Sequence, residues 1–194
     1  MDESNLSYNT ANSLIPRETE ANSINTSPRK SKNKTSYIKD KQIIKAITGN
    51  LNDIIAENSK MINLKYISKD NLFYLDKLPN ISLEDYILYL MKYTQINIST
   101  LILAVIYIDI FCDKFKYFLT LNNIYRMILI SIFISIKYNE DKYMNPKFYA
   151  QLAGVSIDEL LFLEYNMCVA LEFSFFVRED LYEQYFIYFS KYSP

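Results

Sequence analysis

The chain has 194 residues, half of them hydrophobic, and a formal net charge of −1. This length suits one globular domain plus a tail, and the near-neutral charge does not favour a nucleic-acid partner, which would require a strongly basic face. Histidine is absent and only two glycines occur, so the commonest general base, the commonest metal ligand and glycine-rich phosphate loops are excluded, and helix is the default expectation.

Residues 1–36 form a segment rich in serine, asparagine and threonine, with few large apolar side chains. Such a segment cannot bury enough surface to fold, so we expect a disordered tail. A basic cluster at residues 29–34 indicates either a nuclear-import signal or solubilising charge. The run Ser27-Pro28-Arg29-Lys30 resembles a proline-directed kinase site, which makes Ser27 a candidate phosphorylation site.

Residues 37–80 are expected to hold one helix and an irregular connector. Apolar residues recur at intervals of three and four between Ile38 and Glu57, which predicts a single helical stripe. The following stretch ends in Phe73, Tyr74 and Pro79 and is expected to be an irregular connection pinned by aromatic rings.

Residues 81–194 are predicted to form the main domain. Ser82 with Asp85 three residues later indicates a helix start, and a second helix is predicted from Ile98 to Asp113. The third, at residues 122–138, is apolar on nearly every side, as expected for the centre of a bundle.

Three more helices complete the prediction. Asn145-Pro146 begins a short helix that Gly154 ends, and Ser156 with Glu159 begins another that runs to about Leu171. The last covers residues 179–189. The predicted fold class is therefore all-α, a bundle of about five core helices plus flanking helices.

The sequence contains no motif that indicates a catalytic site, a cofactor site or a membrane-spanning segment. Neither a nucleophile with its base nor a paired-carboxylate motif can be assembled, so no catalytic residue, cofactor or small-molecule substrate is expected. Cys112 and Cys168 lack ligand spacing and are expected to be buried free thiols without a metal. Met1 to Glu20 lacks an apolar signal region, and the longest apolar run is half a membrane span. We therefore expect an intracellular protein, in the nucleus, the cytoplasm or both, without a membrane partner.

Several short motifs carry a family resemblance across roughly Leu51 to Phe189. In chain order these motifs are Asp85-Tyr86 with Lys92-Tyr93-Thr94, Ile106-Tyr107-Ile108-Asp109, Leu121-Asn122 through Arg126, Asp141-Lys142-Tyr143 with Tyr149-Ala150, and Gly154-Val155-Ser156. In this order and spacing they resemble the cyclin box of P/U-type cyclins, which are related to the yeast phosphate-regulon cyclin. The resemblance implies a single cyclin box that binds and activates a cyclin-dependent protein kinase as a heterodimer.

The resemblance also implies a kinase-binding site. A lysine at the end of the third helix and a glutamate in the fifth grip the regulatory helix of the kinase, and these positions are Lys137 and Glu164 here. An ammonium donates to backbone carbonyls and a carboxylate accepts backbone N–H groups, so the pair suits a polar clamp. The spacing alone also fits an alternative, in which Lys137 and Glu164 are ordinary helix-end charges, whether or not they pair with each other, and the aromatic residues belong to the core. The apolar contacts of the family fall on Ile134, Tyr138, Cys168, Phe173 and Phe175.

The sequence departs from the family around the aspartate of the second helix. Many cyclins carry an arginine in the first helix that pairs with the second-helix aspartate, and an arginine directly after that aspartate; here these positions hold Tyr89 and Ile110. Since a buried carboxyl group without a partner is costly, we expect Tyr89 or a helix-end N–H to bond Asp109. A non-activating helical scaffold with a cyclin fold remains the alternative function.

Overall fold

The computed structural model describes residues 34–61, 72–141 and 143–191, with side chains from Lys39 onward in the first range. Within these ranges the chain forms seven α-helices and no strand, which confirms the predicted all-α class. Residues 1–33, with Ser27 and most of the predicted tail, lie outside the description. The helices are α1 Lys34–Met61, α2 Leu83–Thr94, α3 Ile98–Phe115, α4 Leu121–Asn139, α5 Pro146–Ala153, α6 Ile157–Ala170 and α7 Glu179–Lys191.

Helix α4 is the centre of the bundle, as its apolar sequence predicts. Every side chain from Met127 to Ile136 is buried, and α2, α3 and α6 pack around it. The buried hydroxyl of Ser135 donates to the carbonyl of Thr100 at 2.9 Å, which ties α4 to the start of α3. Because α4 has no free face along this stretch, its chain meets solvent again only at its C-terminal turn.

The helix starts follow the predicted capping residues. Ser82 accepts a hydrogen bond from the Asp85 N–H at 3.1 Å, and Ser156 accepts one from the Glu159 N–H at 3.0 Å. Asn145 caps α5 in the same way, with proline at the first helical position. These side chains satisfy N–H groups that the first turn leaves without intrahelical partners, so the local sequence fixes where each helix begins.

The described part of the connector before α2 is irregular and anchored on α4. Phe73 is buried in the core, and the Leu75 N–H donates to the Asn122 carbonyl at 2.6 Å. The Asn122 side chain donates back to the Leu75 carbonyl at 2.8 Å, and Arg126 donates to the Tyr74 carbonyl. The motif Leu121 through Arg126 therefore has a structural role in holding the connector.

Asp109 is buried on α3, and its observed phenol partner is not the predicted one. The Tyr185 hydroxyl, on α7, donates to the Asp109 carboxyl group. The hydroxyl of Tyr89, on α2, donates instead to the Leu152 carbonyl at 3.3 Å. The predicted pairing of Tyr89 with Asp109 is therefore wrong, because α7 rather than α2 brings a phenol against this face of α3.

Both cysteines are buried free thiols, as predicted. Burial raises the pKa of the Cys112 thiol above its ordinary value, and the nearby Asp109 carboxylate adds to that effect. Among the helices described, none combines the length and apolar character that crossing a bilayer requires.

The hydrogen bond between α3 and α7 leads to a stability prediction. Tyr185→Phe removes the phenol donor but keeps the ring, so we expect the free energy of unfolding to fall by about 1–3 kcal/mol, measured by urea denaturation. Tyr89→Phe is the matched control, expected to change it by less than about 0.5 kcal/mol because its hydroxyl lies at the surface. A Tyr185→Phe protein as stable as wild type would contradict this assignment.

Gly154 ends α5 in a left-handed conformation, with φ of 68° and open space around an added Cβ. Gly154→Ala should therefore cost about 1–2 kcal/mol through backbone strain alone, without a steric clash. Gly154→Asn should lose less, because asparagine tolerates this conformation. Thermal unfolding of both variants tests the point, and equal stability of the alanine and wild-type proteins would rule it out.

Candidate functional site

The C-terminal turn of α4 and the middle of α6 bring Lys137 and Glu164 together. The lysine Nζ lies 2.5 Å from Glu164 Oε1, and 36% of the lysine side chain and 13% of the glutamate side chain are exposed. The ammonium also lies 5.2 Å from the ring centroid of Phe133. The two predicted clamp residues therefore sit side by side at the surface, where α4 emerges from the core.

The ion pair leaves hydrogen-bonding capacity at both groups. An ammonium has three donors and a carboxylate about four acceptor sites, while this contact uses one of each. The pairing matches the alternative expectation of two helix-end charges, and it is also compatible with a partner backbone that bonds the remaining positions. A partly buried charge pair next to apolar surface is chemically suited to bind exposed backbone groups at a helix end.

Aromatic rings border the ion pair on one side. Tyr138 and Phe173 are exposed, and Phe175 is half-buried between them. The ring centroid of Phe175 lies 5.5 Å from that of Tyr138 and 6.5 Å from that of Phe173. Three of the predicted apolar positions therefore form one continuous aromatic surface beside Lys137 and Glu164.

The other two predicted apolar positions are not exposed. Ile134 is 3% exposed and belongs to the core, because the face of α4 that it occupies is covered within the bundle. Its expected place among the exposed contact residues is therefore corrected. Cys168 is 9% exposed and lies close enough to Lys137 and Glu164 for both charges to act on its thiol. Burial raises the pKa of its thiol, the Glu164 carboxylate raises it further, and the Lys137 ammonium lowers it.

Sequence reasoning missed an exposed apolar stripe along α6. Phe162, Tyr165 and Val169 are 58%, 63% and 46% exposed. Their spacing of three and four puts them on one face of the helix, while Leu163 and Met167 fill the core face. The sequence of α6 does carry a signal for this stripe, because its apolar residues occupy more than one side of the helix. That pattern is typical of a helix whose second apolar side is covered by a partner.

The turn after α6 is strained. Glu172 and Phe173 both have a φ of 54°, in the left-handed region that costs roughly 1–2 kcal/mol for a residue with a side chain. The turn carries the exposed ring of Phe173 to the edge of the aromatic surface. Residues in such conformations persist where the surrounding structure holds them, and they concentrate at binding sites.

A metal centre has no support at this surface. Across the described ranges, no group of three or more histidine, cysteine, aspartate or glutamate side chains is arranged to hold an ion. The surface combines an ion pair, exposed aromatic rings and one apolar face of α6. A surface of this composition suits binding of another protein.

Comparisons with known proteins agree with the motifs. A family model described as Cyclin matches residues 7–175, a range that includes α1 to α6 and ends before α7. Cyclin-U2-1 of Arabidopsis thaliana is 26% identical over 172 residues, covering 84% of this chain and 78% of the relative. Cyclin-P3-1 of Oryza sativa subsp. japonica is 24% identical over 161 residues, covering 82% and 67%. Cyclin-U4-1 of Arabidopsis thaliana is 30% identical over 115 residues, covering 58% of this chain and 56% of the relative.

Proposed function

Because the chain belongs to the cyclin family, with a P/U-type cyclin box, we propose that it binds a cyclin-dependent serine/threonine protein kinase and activates it. Cyclins are regulatory rather than catalytic proteins, so the chemistry belongs to the kinase. The observation that carries the proposal is the adjacency of Lys137 and Glu164 at the rim of an exposed aromatic surface. Such a surface offers a polar clamp for a helix end and apolar area for its side chains.

The proposed mechanism is a shift between two states of the kinase. An isolated kinase samples an inactive state in which its regulatory helix is swung out, and the cyclin binds the swung-in state better. With that helix in place, its glutamate pairs with the strand lysine that orients the ATP phosphates. Moving such an equilibrium almost completely requires a differential affinity of roughly 5 kcal/mol.

The surface supplies this differential affinity through two kinds of contact. The exposed rings of Tyr138 and Phe173 bury apolar area only against a helix in the swung-in position. The unused hydrogen-bonding positions of Lys137 and Glu164 bond the helix backbone. A swung-out helix makes neither set of contacts, so binding favours the active state.

Truncation of either clamp residue tests the interface. Lys137→Ala and Glu164→Ala should each weaken kinase binding by about 2–5 kcal/mol, because each leaves the other charge buried in the complex without its partner. In the free protein the pair is partly solvated, so each variant should change the free energy of unfolding by less than about 1 kcal/mol. Calorimetric titration of the kinase measures the first effect and urea denaturation the second; near-native affinity in both variants would refute the interface.

A charge exchange separates the clamp from a merely structural ion pair. The double variant Lys137→Glu with Glu164→Lys keeps an ion pair within the chain but reverses the donor and acceptor ends that the kinase helix meets. We expect native thermal stability together with a loss of kinase binding as large as that of either alanine variant. If the exchanged protein binds the kinase as wild type does, the two residues serve only the fold of the cyclin.

Activation itself needs a separate measurement. The kinase is recovered with the tagged wild-type chain from native extract, identified, and produced in recombinant form. Its phosphate transfer to a serine/threonine peptide is then compared with and without the chain, and we expect a large increase on addition. Binding without any increase in phosphate transfer would favour the alternative, a cyclin-fold scaffold that does not activate.

A further inference from the structure

The turn after α6 is held at both ends by hydrogen bonds. On its upstream side, the Phe173 N–H donates to the Cys168 carbonyl and the Ser174 N–H to the Leu171 carbonyl, both at 2.9 Å. On its downstream side, the hydroxyl of Tyr107 on α3 donates to the Phe175 carbonyl at 2.8 Å. Glu172 and Phe173, the two residues of this turn with left-handed backbone, lie in the segment that these hydrogen bonds hold.

A side-chain ion pair tethers the strained part of the turn to α3. Lys114, in the last turn of α3, lies 2.6 Å from Glu172 Oε1. This contact lowers the pKa of the Glu172 carboxyl group through the hydrogen bond and the charge of the lysine. Both side chains are well exposed, so the tether is weak in free energy, but it acts on the residue whose backbone is strained.

Resting on the proposed function, we infer that Lys114 is a positioning residue for kinase binding: its ion pair with Glu172 holds the strained turn so that Phe173 is presented to the partner. Lys114 acts through Glu172 and does not itself contact the kinase. The benefit is preorganisation, since a turn that is already ordered loses less conformational entropy when the partner binds.

A double-mutant cycle tests this role. Lys114→Met removes the tether and should weaken binding of the recombinant kinase roughly two- to fivefold, in line with an exposed ion pair. Glu172→Gly removes both the carboxylate that pairs with Lys114 and the strain at residue 172, since glycine adopts positive φ readily. In the Glu172→Gly background, Lys114→Met should therefore change binding by less than about 1.5-fold, because Lys114 has lost the carboxylate through which it acts.

The matched control is Lys116→Met. Lys116 lies just beyond the same helix end and pairs with Asp113 at 3.2 Å, so its loss changes the net charge equally without touching the turn. Its kinase affinity should equal that of wild type. Equal weakening by Lys114→Met and Lys116→Met would assign the effect to general charge and overturn the positioning role.

Amide hydrogen exchange in the free chain gives a readout that does not depend on the kinase. Lys114→Met should speed exchange of the Phe173 and Ser174 N–H groups roughly two- to fivefold, and Lys116→Met should not. Unchanged exchange in Lys114→Met, or equal weakening of binding in the wild-type and Glu172→Gly backgrounds, would overturn the inference. If the wild-type chain bound no kinase at all, the proposed function would fail, whereas the exchange result would still report on the tether.

Discussion

The packing of α4 is the constraint on which the rest of the structure depends. From Met127 to Ile136 this helix is covered on all sides, mainly by α3 and α6. A charged side chain cannot be placed in that stretch without a large desolvation cost, so Lys137 occupies the first position that reaches solvent. The same packing brings α6 alongside, which puts Glu164 within bonding distance of the lysine. The position of the candidate site is thus a consequence of how the core is filled.

Features that depend on local sequence were predictable. The capping serines at positions 82 and 156 determine helix starts through contacts three residues away, and the run of apolar residues in α4 predicts burial without any knowledge of its neighbours. The adjacency of Lys137 and Glu164 was expected from the family resemblance, with mutual pairing as the alternative, and the structure has them both adjacent and paired.

Features that depend on tertiary packing were not predictable. The residues Asp109 and Tyr185 are 76 positions apart in the chain, and no sequence period relates α3 to α7. The family resemblance puts Ile134 on the contact surface, and the sequence could not correct this because an apolar residue near the end of α4 looks the same whether it faces the core or a partner. Likewise, the exposure of Phe162 and Tyr165 became clear only when the other face of α6 was seen to fill the core.

The candidate surface combines components that differ in how firmly the fold holds them. The end of α4 and the face of α6 are parts of rigid helices, whereas Phe173 lies on a strained turn held by hydrogen bonds and a surface ion pair. A rigid clamp beside an aromatic edge that is already ordered is the arrangement that the proposed recognition of one kinase conformation requires. The family match establishes that the chain is a cyclin, and membership of this family implies a protein kinase as partner in general.

The most direct test of the central claim is a hydrogen-exchange footprint of the chain bound to its recombinant kinase. If the clamp and the aromatic surface form the interface, protection should appear in residues 134–138 and 160–176 and leave the exposed face of α1 unchanged. Protection confined to α1 and α7, with no change along α6, would contradict the account.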